Sequence, residues 1–313
     1  MKILLMFSGQ GDANSNLFQM FADDDLALNY VSQLATAASI NIAEHSAYDL
    51  RNPRLAQILI ASYQLTLFKS IEDLISTSQL EFAGYSLGEV SAFLLSIQAE
   101  PKIAIEVLRQ RTFLMVSNIN IANEAYDLVS FIGTFDIKMV QQLSSVESCG
   151  IAITISNSHV VLGGTISNLD KLLKKLSDLY QCQIKYLNVQ LPSHTPIYKE
   201  QSAEFSKFIL STIPNGRLRY PIISPVQLQK IYDDQHEAQL LGDELCTTLD
   251  WKSVSMLISE YKYDLILDLG PGAALSSFLK EVHVDPSLLV TVSNFQTIHG
   301  LRNKITQKMT RTI

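Results

Sequence analysis

Cysteine is scarce in this chain of 313 residues, which contains only Cys149, Cys182 and Cys246, far apart along the sequence. They are odd in number and form no C-x-x-C pair, so the sequence indicates neither a disulfide framework nor a zinc site. Free cysteines of this kind are typical of a reducing compartment. No cluster with metal-ligand spacing is present elsewhere, and we expect no metal.

Long apolar runs and excess positive charge are also missing. No segment approaches the about 18 consecutive apolar residues of a membrane span, and the run from Ile3 to Phe7 is too short for the core of a signal peptide. Lys plus Arg number 24 against 31 Asp plus Glu, a net charge of −7 that argues against nucleic-acid binding. We therefore expect a soluble cytoplasmic protein with no membrane and no nucleic-acid partner.

What is present is a globular composition, with 47% hydrophobic and 18% charged residues. The chain is long enough for one large or two moderate domains. Short apolar runs alternate with helical patterns: a predicted strand at 3–7, a helix at 55–75, a helix from Pro101, and strands at 263–269 and 288–292. This alternation predicts an α/β fold with a mostly parallel sheet covered by helices on both faces.

The segment from 126 to 189 has a different order of predicted strands and helices. Its pattern predicts strand 128–135, helix 136–143, strands 151–155 and 159–162 as a hairpin, helix 168–179 and strand 184–189. The order βαββαβ is that of a ferredoxin-like unit. We therefore predict a body formed by residues 1–125 and 190–313, with a ferredoxin-like subdomain at 126–189 inserted into it.

The most informative motif is Gly84-Tyr85-Ser86-Leu87-Gly88, which lies between a short apolar run at 80–83 and a helix-compatible run at 90–97. A G-x-S-x-G sequence in this setting is typical of a nucleophile elbow, which presents a serine hydroxyl beside the amides that begin a helix. An ordinary strand-to-helix turn is the alternative for the pentapeptide alone.

A serine nucleophile needs a base, and the chain has six histidines. His194 is framed by Pro192 and Pro196 where the predicted subdomain returns to the body, and it is our candidate. His159 falls in the predicted hairpin and is expected to be structural. The other four histidines have polar, loop-like surroundings and are expected at the surface: His45, His236, His283 and His299.

Five motifs in order resemble those of the malonyl-CoA:acyl carrier protein transacylase family. The match extends over nearly the whole chain. The motifs are Phe7-Ser8-Gly9-Gln10-Gly11, Gly84-Tyr85-Ser86-Leu87-Gly88-Glu89, Arg111 with Met115, Leu191-Pro192-Ser193-His194, and Leu269-Gly270-Pro271-Gly272. The resemblance implies an α/β-hydrolase-like body with an inserted ferredoxin-like subdomain. It also implies transfer of a malonyl group from malonyl-CoA to the phosphopantetheine-type thiol of an acyl carrier protein, without a bound cofactor.

Site roles follow from the resemblance, position by position. Ser86 becomes the nucleophile and His194 the general base, and the backbone N–H groups of Gln10 and Leu87 become the oxyanion hole. Arg111 becomes the group that grips the malonyl carboxylate, since a guanidinium can donate two parallel hydrogen bonds to it. On sequence alone Arg111 could equally be a helix-surface arginine, as Arg109 is expected to be.

Two further residues are assigned to the site, and a third nearby acid is not. Gln57 aligns loosely with a polar residue of the substrate pocket. Glu244 aligns with a position that is usually glutamine, whose backbone carbonyl orients the catalytic imidazole in the family. Glu89 is expected to support the start of its helix and to take no part in the chemistry.

Two departures from the family pattern affect the choice of branch. Tyr85 precedes the serine where most transacylases of fatty-acid synthesis have histidine, and Glu244 replaces the usual glutamine. The Gly-Tyr-Ser-x-Gly form resembles the epsilon subunit of biotin-independent malonate decarboxylase, whereas acyltransferases that load polyketide synthases share the same site residues. An acyl hydrolase on the same scaffold and a catalytically silent carrier-docking subunit are the alternatives from other classes.

Overall fold

The computed structural model describes residues 1–10, 16–42, 50, 52–122, 124–213 and 216–311. Gly11, of the first motif, and His45 lie outside these ranges.

The described residues form two β-sheets. Their strands are β1 (Lys2–Phe7), β2 (Gln79–Gly84), β3 (Tyr126–Gly133), β4 (Gly150–Ser156), β5 (His159–Thr165), β6 (Cys182–Tyr186), β7 (Arg217–Ile223), β8 (Lys230–Asp233), β9 (Leu249–Asp250), β10 (Leu265–Asp268) and β11 (Leu289–Thr291).

The helices separate most of these strands. They are α1 (Asp25–Ala38), α2 (Pro53–Ile75), α3 (Leu87–Ser96), α4 (Pro101–Ala122), α5 (Ile137–Val146), α6 (Ile166–Leu179), α7 (Lys199–Thr212), α8 (Asp234–Cys246), α9 (Trp251–Tyr261), α10 (Ala274–Glu281) and α11 (Ile298–Arg311). No helix among the described residues is long and apolar enough to cross a lipid bilayer.

The larger sheet has the strand order β11-β10-β1-β2-β7-β8, in which every pair is parallel except β7 with β8. Strand β1 lies near its centre and is buried on both faces, because alternate side chains enter different cores. Leu5 and Phe7 pack toward α2, α3 and α4, whereas Leu4 and Met6 pack toward α9 and α10. The predicted α/β class with helices on both faces is confirmed.

The smaller sheet has the order β6-β3-β5-β4-β9. The first four of these strands alternate with α5 and α6 in the βαββαβ order that the sequence predicts, and they pair antiparallel. Four leucines of α6 cover one face of this sheet. On the opposite face, Leu128, Ile153 and Val161 share a hydrophobic core with Leu4 and Met6 of β1, so the two sheets pack around common apolar residues.

The smaller sheet differs from the sequence prediction at two places. The last strand of the subdomain ends at Tyr186 instead of continuing to Val189, because the amides of Asn188 and Val189 donate to the Asp127 carboxylate at 3.1 and 3.0 Å. The short strand β9 pairs in parallel with β4, although it lies far beyond the predicted subdomain in sequence.

The two glycines of the elbow are required by close packing. A Cβ atom at Gly84 would lie 2.0 Å from Cα of Glu89, and one at Gly88 would lie 1.9 Å from the carbonyl oxygen of Phe7. Both obstacles are backbone atoms, which cannot rotate away as a side chain can. The start of α3 is thus pressed directly onto the end of β1.

We predict that Gly88→Ala destabilises the fold by at least about 3 kcal/mol, because relief of the clash must move β1 or α3. Urea unfolding followed by circular dichroism measures this loss. Gly300→Ala is the matched control: its Cβ would lie 3.4 Å from the nearest atom. On a helix, this change is expected to raise the unfolding free energy by up to about 1 kcal/mol. Equal unfolding curves for the two variants would contradict the packing argument.

Candidate active site

Ser86 lies at the turn between β2 and α3, where the backbone adopts φ 57° and ψ −119°. This conformation is rare for a residue with a side chain and is the strained turn expected of a nucleophile elbow. Although Ser86 occupies the N-cap position, its hydroxyl makes no capping hydrogen bond to α3. The hydroxyl is therefore available to a partner across the cleft.

That partner is His194, which is brought to the serine by the loop after the subdomain. His194 has a left-handed backbone with φ 62°, and its amide donates to the carbonyl of Leu245 at 2.8 Å. Its Nε2 lies 2.8 Å from Ser86 Oγ, and its Nδ1 lies 2.7 Å from the carbonyl oxygen of Glu244. Because a carbonyl can only accept, Nδ1 carries the proton and Nε2 accepts from the serine hydroxyl.

The environment keeps the imidazole of His194 in its neutral, basic form. Burial lowers its pKa to about 3, and the nearby positive charge of Arg111 adds to this shift, whereas the Glu244 carbonyl opposes it. His194 is only 2% exposed. A neutral imidazole that already accepts a hydrogen bond from the serine hydroxyl can act as a general base.

The predicted oxyanion donors lie on either side of the serine. Gln10 and Leu87 both line the cavity that contains Ser86. The backbone amides of these two residues make no hydrogen bond to any described residue, which leaves both free to donate. The loop that carries Gln10 is fixed by Gln64, whose Nε2 donates to the carbonyls of Ser8 and Gly270 at 2.8 and 2.7 Å. Gln64 is not among the predicted site residues, because a glutamine inside a helical pattern carries no distinguishing signal.

Arg111 extends from α4 toward the serine and is only 1% exposed. Its Nη1 donates to Oε1 of Gln57 at 2.6 Å, and its Nη2 lies 3.5 Å from Ser86 Oγ. It forms no ion pair with a carboxylate of the described residues. Arg109 faces elsewhere: it is exposed and donates to the carbonyl of Ala38 at the end of α1. The two arginines point in different directions, as their spacing on a helix requires.

A cavity of about 390 Å³ opens from these residues along the face of the smaller sheet. The outer wall is mainly apolar and is formed by alternate residues of β3, β4 and β5, by the chain after β6, and by α10. Its apolar members are Leu128, Ile132, Ile153, Ile155, Val161, Leu187, Val189, Leu275 and Phe278. A cavity with a cation at its inner end and a mainly apolar outer wall suits a ligand that is charged at one end.

His159 is part of this wall, at the start of β5, where its ring nitrogen Nε2 lies 2.8 Å from Ser130 Oγ. His236 lies within α8 and His299 within α11, so the prediction of loop-like surroundings is wrong for both, although His299 is exposed as expected. Among the described residues, none of these three histidines forms a hydrogen bond with Ser86.

Tyr85, the departure before the serine, lies against Trp251 and Phe278, with ring centroids 5.2 and 6.1 Å away. Burial raises the pKa of its hydroxyl above the usual range. Tyr85 thus joins the apolar wall and supplies no charge at the site.

Glu244 and Glu89 are buried more deeply than the sequence indicates. Both are 0% exposed, and so is Glu237, which precedes Glu244 on α8. The six carboxyl oxygens of these three residues meet no hydrogen-bond donor among the described residues. Glu89 is the acidic residue of the first turn of α3, and its support of the helix start stays a prediction. Its side chain makes no hydrogen bond to a described residue, and its carboxyl group faces those of Glu237 and Glu244.

Comparison with solved structures shows which known proteins share this fold. One of them is the malonyl-CoA:acyl carrier protein transacylase of Helicobacter pylori, with a TM-score of 0.87, 18% identity and coverage of 99% of both chains. A second match is a malonyl-transacylase that was solved in complex with its type II polyketide synthase acyl carrier protein. It has a TM-score of 0.82 and 16% identity, and the match covers 93% of this chain and 95% of the transacylase. No protein-family profile matches the chain.

Sequence comparison names the family more closely. The malonyl CoA-acyl carrier protein transacylase of Staphylococcus aureus (strain MSSA476) is 21% identical over 310 residues, which cover 96% of this chain and 97% of the relative. The resemblance to the malonyl-CoA:acyl carrier protein transacylase family that the five motifs predict is therefore confirmed.

We predict that the His194 ring stays neutral down to about pH 4, because protonation would place a buried imidazolium beside Arg111. Imidazole carbon and proton chemical shifts followed by NMR measure this, with His194→Ala providing the assignment. In Arg111→Gln the titration should move toward higher pH, since one of the causes that lower the pKa is removed. A His194 signal that titrates near pH 6.5 would contradict the burial argument.

Proposed function

We propose that this chain transfers a malonyl group from malonyl-CoA to the phosphopantetheine thiol of an acyl carrier protein, through an ester on Ser86. The observation that carries the proposal is the convergence of Ser86, His194 and Arg111 in one cavity: Ser86 Oγ lies 2.8 Å from the base and 3.5 Å from the guanidinium. The carrier-protein partner is supported by the similarity to a transacylase solved with its carrier protein.

In the first half-reaction, Ser86 Oγ attacks the thioester carbon while its proton moves to Nε2 of His194. The negative charge that develops on the carbonyl oxygen is stabilised by the amides of Gln10 and Leu87; the latter belongs to the N-terminus of α3, where the helix dipole favours an anion. When the carbon–sulfur bond breaks, the imidazolium returns the proton to the leaving thiolate of CoA.

In the second half-reaction, the thiol of the carrier arm attacks the Ser86 ester, and His194 accepts the thiol proton. The tetrahedral intermediate collapses by breaking the bond to Ser86 Oγ, which regains its proton from His194. The hydrogen bond from Nδ1 to the Glu244 carbonyl keeps the ring oriented in both directions of proton transfer. Each step uses groups of this chain and its substrates, and we propose no bound cofactor or metal.

Arg111 selects the acyl group. Its Nη1 and Nη2 point toward Gln57 and Ser86, and a malonyl carboxylate next to the reacting carbon would meet both of them. Gln57 holds the guanidinium plane. A carboxylate clamp gives no advantage to a hydrolase that edits neutral acyl chains, which favours the transferase over that alternative. The malonate decarboxylase branch remains a prediction from the Tyr85 sequence.

We predict that Ser86→Ala abolishes labelling of the protein by radioactive malonyl-CoA, because no other described hydroxyl is paired with His194. Gel filtration after brief exposure to the thioester measures the label, and carrier protein should then remove it faster than buffer alone. Ser145→Ala, an exposed serine of α5, is the control. Label that persists in Ser86→Ala excludes Ser86 as the acyl acceptor; release that carrier protein does not accelerate excludes the transferase.

We also predict that Arg111→Ala lowers the malonyl-to-acetyl ratio of kcat/KM by at least about tenfold, since hydrogen bonds to a charged group contribute about 1.5–3 kcal/mol each. Arg111→Lys should recover only part of the ratio, because a lysine cannot form the paired bonds. Arg109→Ala, two residues away on the same helix, should leave the ratio unchanged. Competition between the two CoA thioesters measures all three variants, and an unchanged ratio in Arg111→Ala would assign this residue to structure alone.

A further inference from the structure

Three buried carboxyl groups lie behind the catalytic residues, and the acyl-transfer reaction does not use them directly. Glu89 belongs to the first turn of α3, three residues after Ser86, and Glu237 and Glu244 belong to α8. All three are 0% exposed, and none of their carboxyl oxygens meets a donor among the described residues. We call these residues the carboxyl cluster.

The cluster adjoins His194, Ser86 and Arg111. The main-chain carbonyl of Glu244 orients His194, the amide of Glu89 donates to the carbonyl of Ser86 at 2.8 Å, and the Ser86 amide lies near the Glu244 side chain. Arg111 is the cation next to the cluster. Among the three carboxyl groups, the charge of Glu244 has the largest effect on Arg111.

Charges on neighbouring elements do not neutralise the cluster. Besides Arg111, the nearby titratable groups are Tyr198, which is buried beside Arg111, the neutral His194, and Asp234, one turn before Glu237 on α8. The charged residues of α7, the helix packed most extensively on α8, are all exposed: Lys199, Glu200, Glu204 and Lys207.

Physical chemistry limits how these groups can be charged. Carboxylates that face one another without donors cannot all ionise, because each would lie unsolvated beside a like charge. Burial raises the pKa of Glu237 and Glu244 to about 8 and that of Glu89 well above its usual value. Repulsion between the carboxyl groups adds to the shifts of Glu89 and Glu237, whereas the charge of Arg111 and the nearby Ser86 amide oppose the shift of Glu244. A carboxyl group can then supply the proton of a hydrogen bond to its neighbour, which provides the missing donor.

We propose that the carboxyl cluster is protonated in the working enzyme, that this leaves Arg111 without an internal counter-ion, and that Glu244 thereby controls its selectivity for a dicarboxylic acyl group. The inference rests on the proposed malonyl transfer. Ionised Glu244 would be a second anion competing for the guanidinium, so the enzyme would bind the malonyl carboxylate less tightly. Glu89, Glu237 and Glu244 act here as positioning residues, because they reach the substrate only through Arg111.

The test compares malonyl-CoA with acetyl-CoA as acyl donors to Ser86 across pH 6 to 9.5. Titration of His194, of the serine and of the shared CoA portion affects both donors, so the ratio of their kcat/KM values isolates the distal carboxylate. In the unmodified chain, the ratio should fall by about tenfold as pH rises through about 8, as expected when a neighbouring anion forms beside the guanidinium.

Glu244→Gln keeps the shape and the backbone carbonyl but cannot ionise, so its ratio should remain within about twofold over the same range. The carbonyl stretch of a protonated carboxylic acid, measured by infrared spectroscopy at pH 7, should lose intensity in this variant. Glu244→Asp, which can still ionise, should regain a pH-dependent ratio. Glu106→Gln, which removes an exposed carboxylate of α4, is the control and should change neither measurement.

Each outcome decides a separate point. A chain that takes no malonyl label at any pH overturns the proposed function, and this inference with it. Malonyl labelling with a ratio that does not vary with pH, or with the same pH dependence in Glu244→Gln, overturns only the role of the cluster. Absence of a protonated carboxyl band at pH 7 also overturns it, whatever the acyl group transferred.

Discussion

The hydrogen bond from His194 Nδ1 to the main-chain carbonyl of Glu244 determines the chemistry of the whole site, because it fixes which ring nitrogen can accept the serine proton. No carboxylate is needed for this, and a negative charge there would oppose the shift that keeps the imidazole neutral. The bond depends on the position of the end of α8, and α8 is packed against α7 and α3. His194 and Ser86 are therefore positioned by elements that contact one another directly.

Electrostatics in the site follow from burial of one cation and three acids. Arg111 is nearly inaccessible and makes no ion pair among the described residues, so its charge is available to a ligand. Burial lowers the pKa of His194 and the same charge adds to this shift, which keeps the imidazole neutral. In the proposed mechanism, one arginine would thus act both on the acyl group and on the base.

Sequence patterns predicted the parts of this structure that local chemistry determines. The glycines of the Ser86 elbow and the prolines around His194 leave few backbone choices, and the leucines of α6 define a helix face. The pairing of β9 with β4 could not be predicted, because two residues carry no periodicity and their partner lies about a hundred residues away. The burial of Glu89 and Glu237 could not be predicted from the sequence either, since acidic residues at a helix start normally face solvent.

The most direct measurement of the central claim is a crystal structure of the chain after brief exposure to malonyl-CoA. The account predicts an ester on Ser86 Oγ, with its carbonyl oxygen between the amides of Gln10 and Leu87 and its free carboxylate on the two terminal nitrogens of Arg111. An ester on another residue, or a malonyl carboxylate turned away from Arg111 toward the apolar entrance, would contradict it.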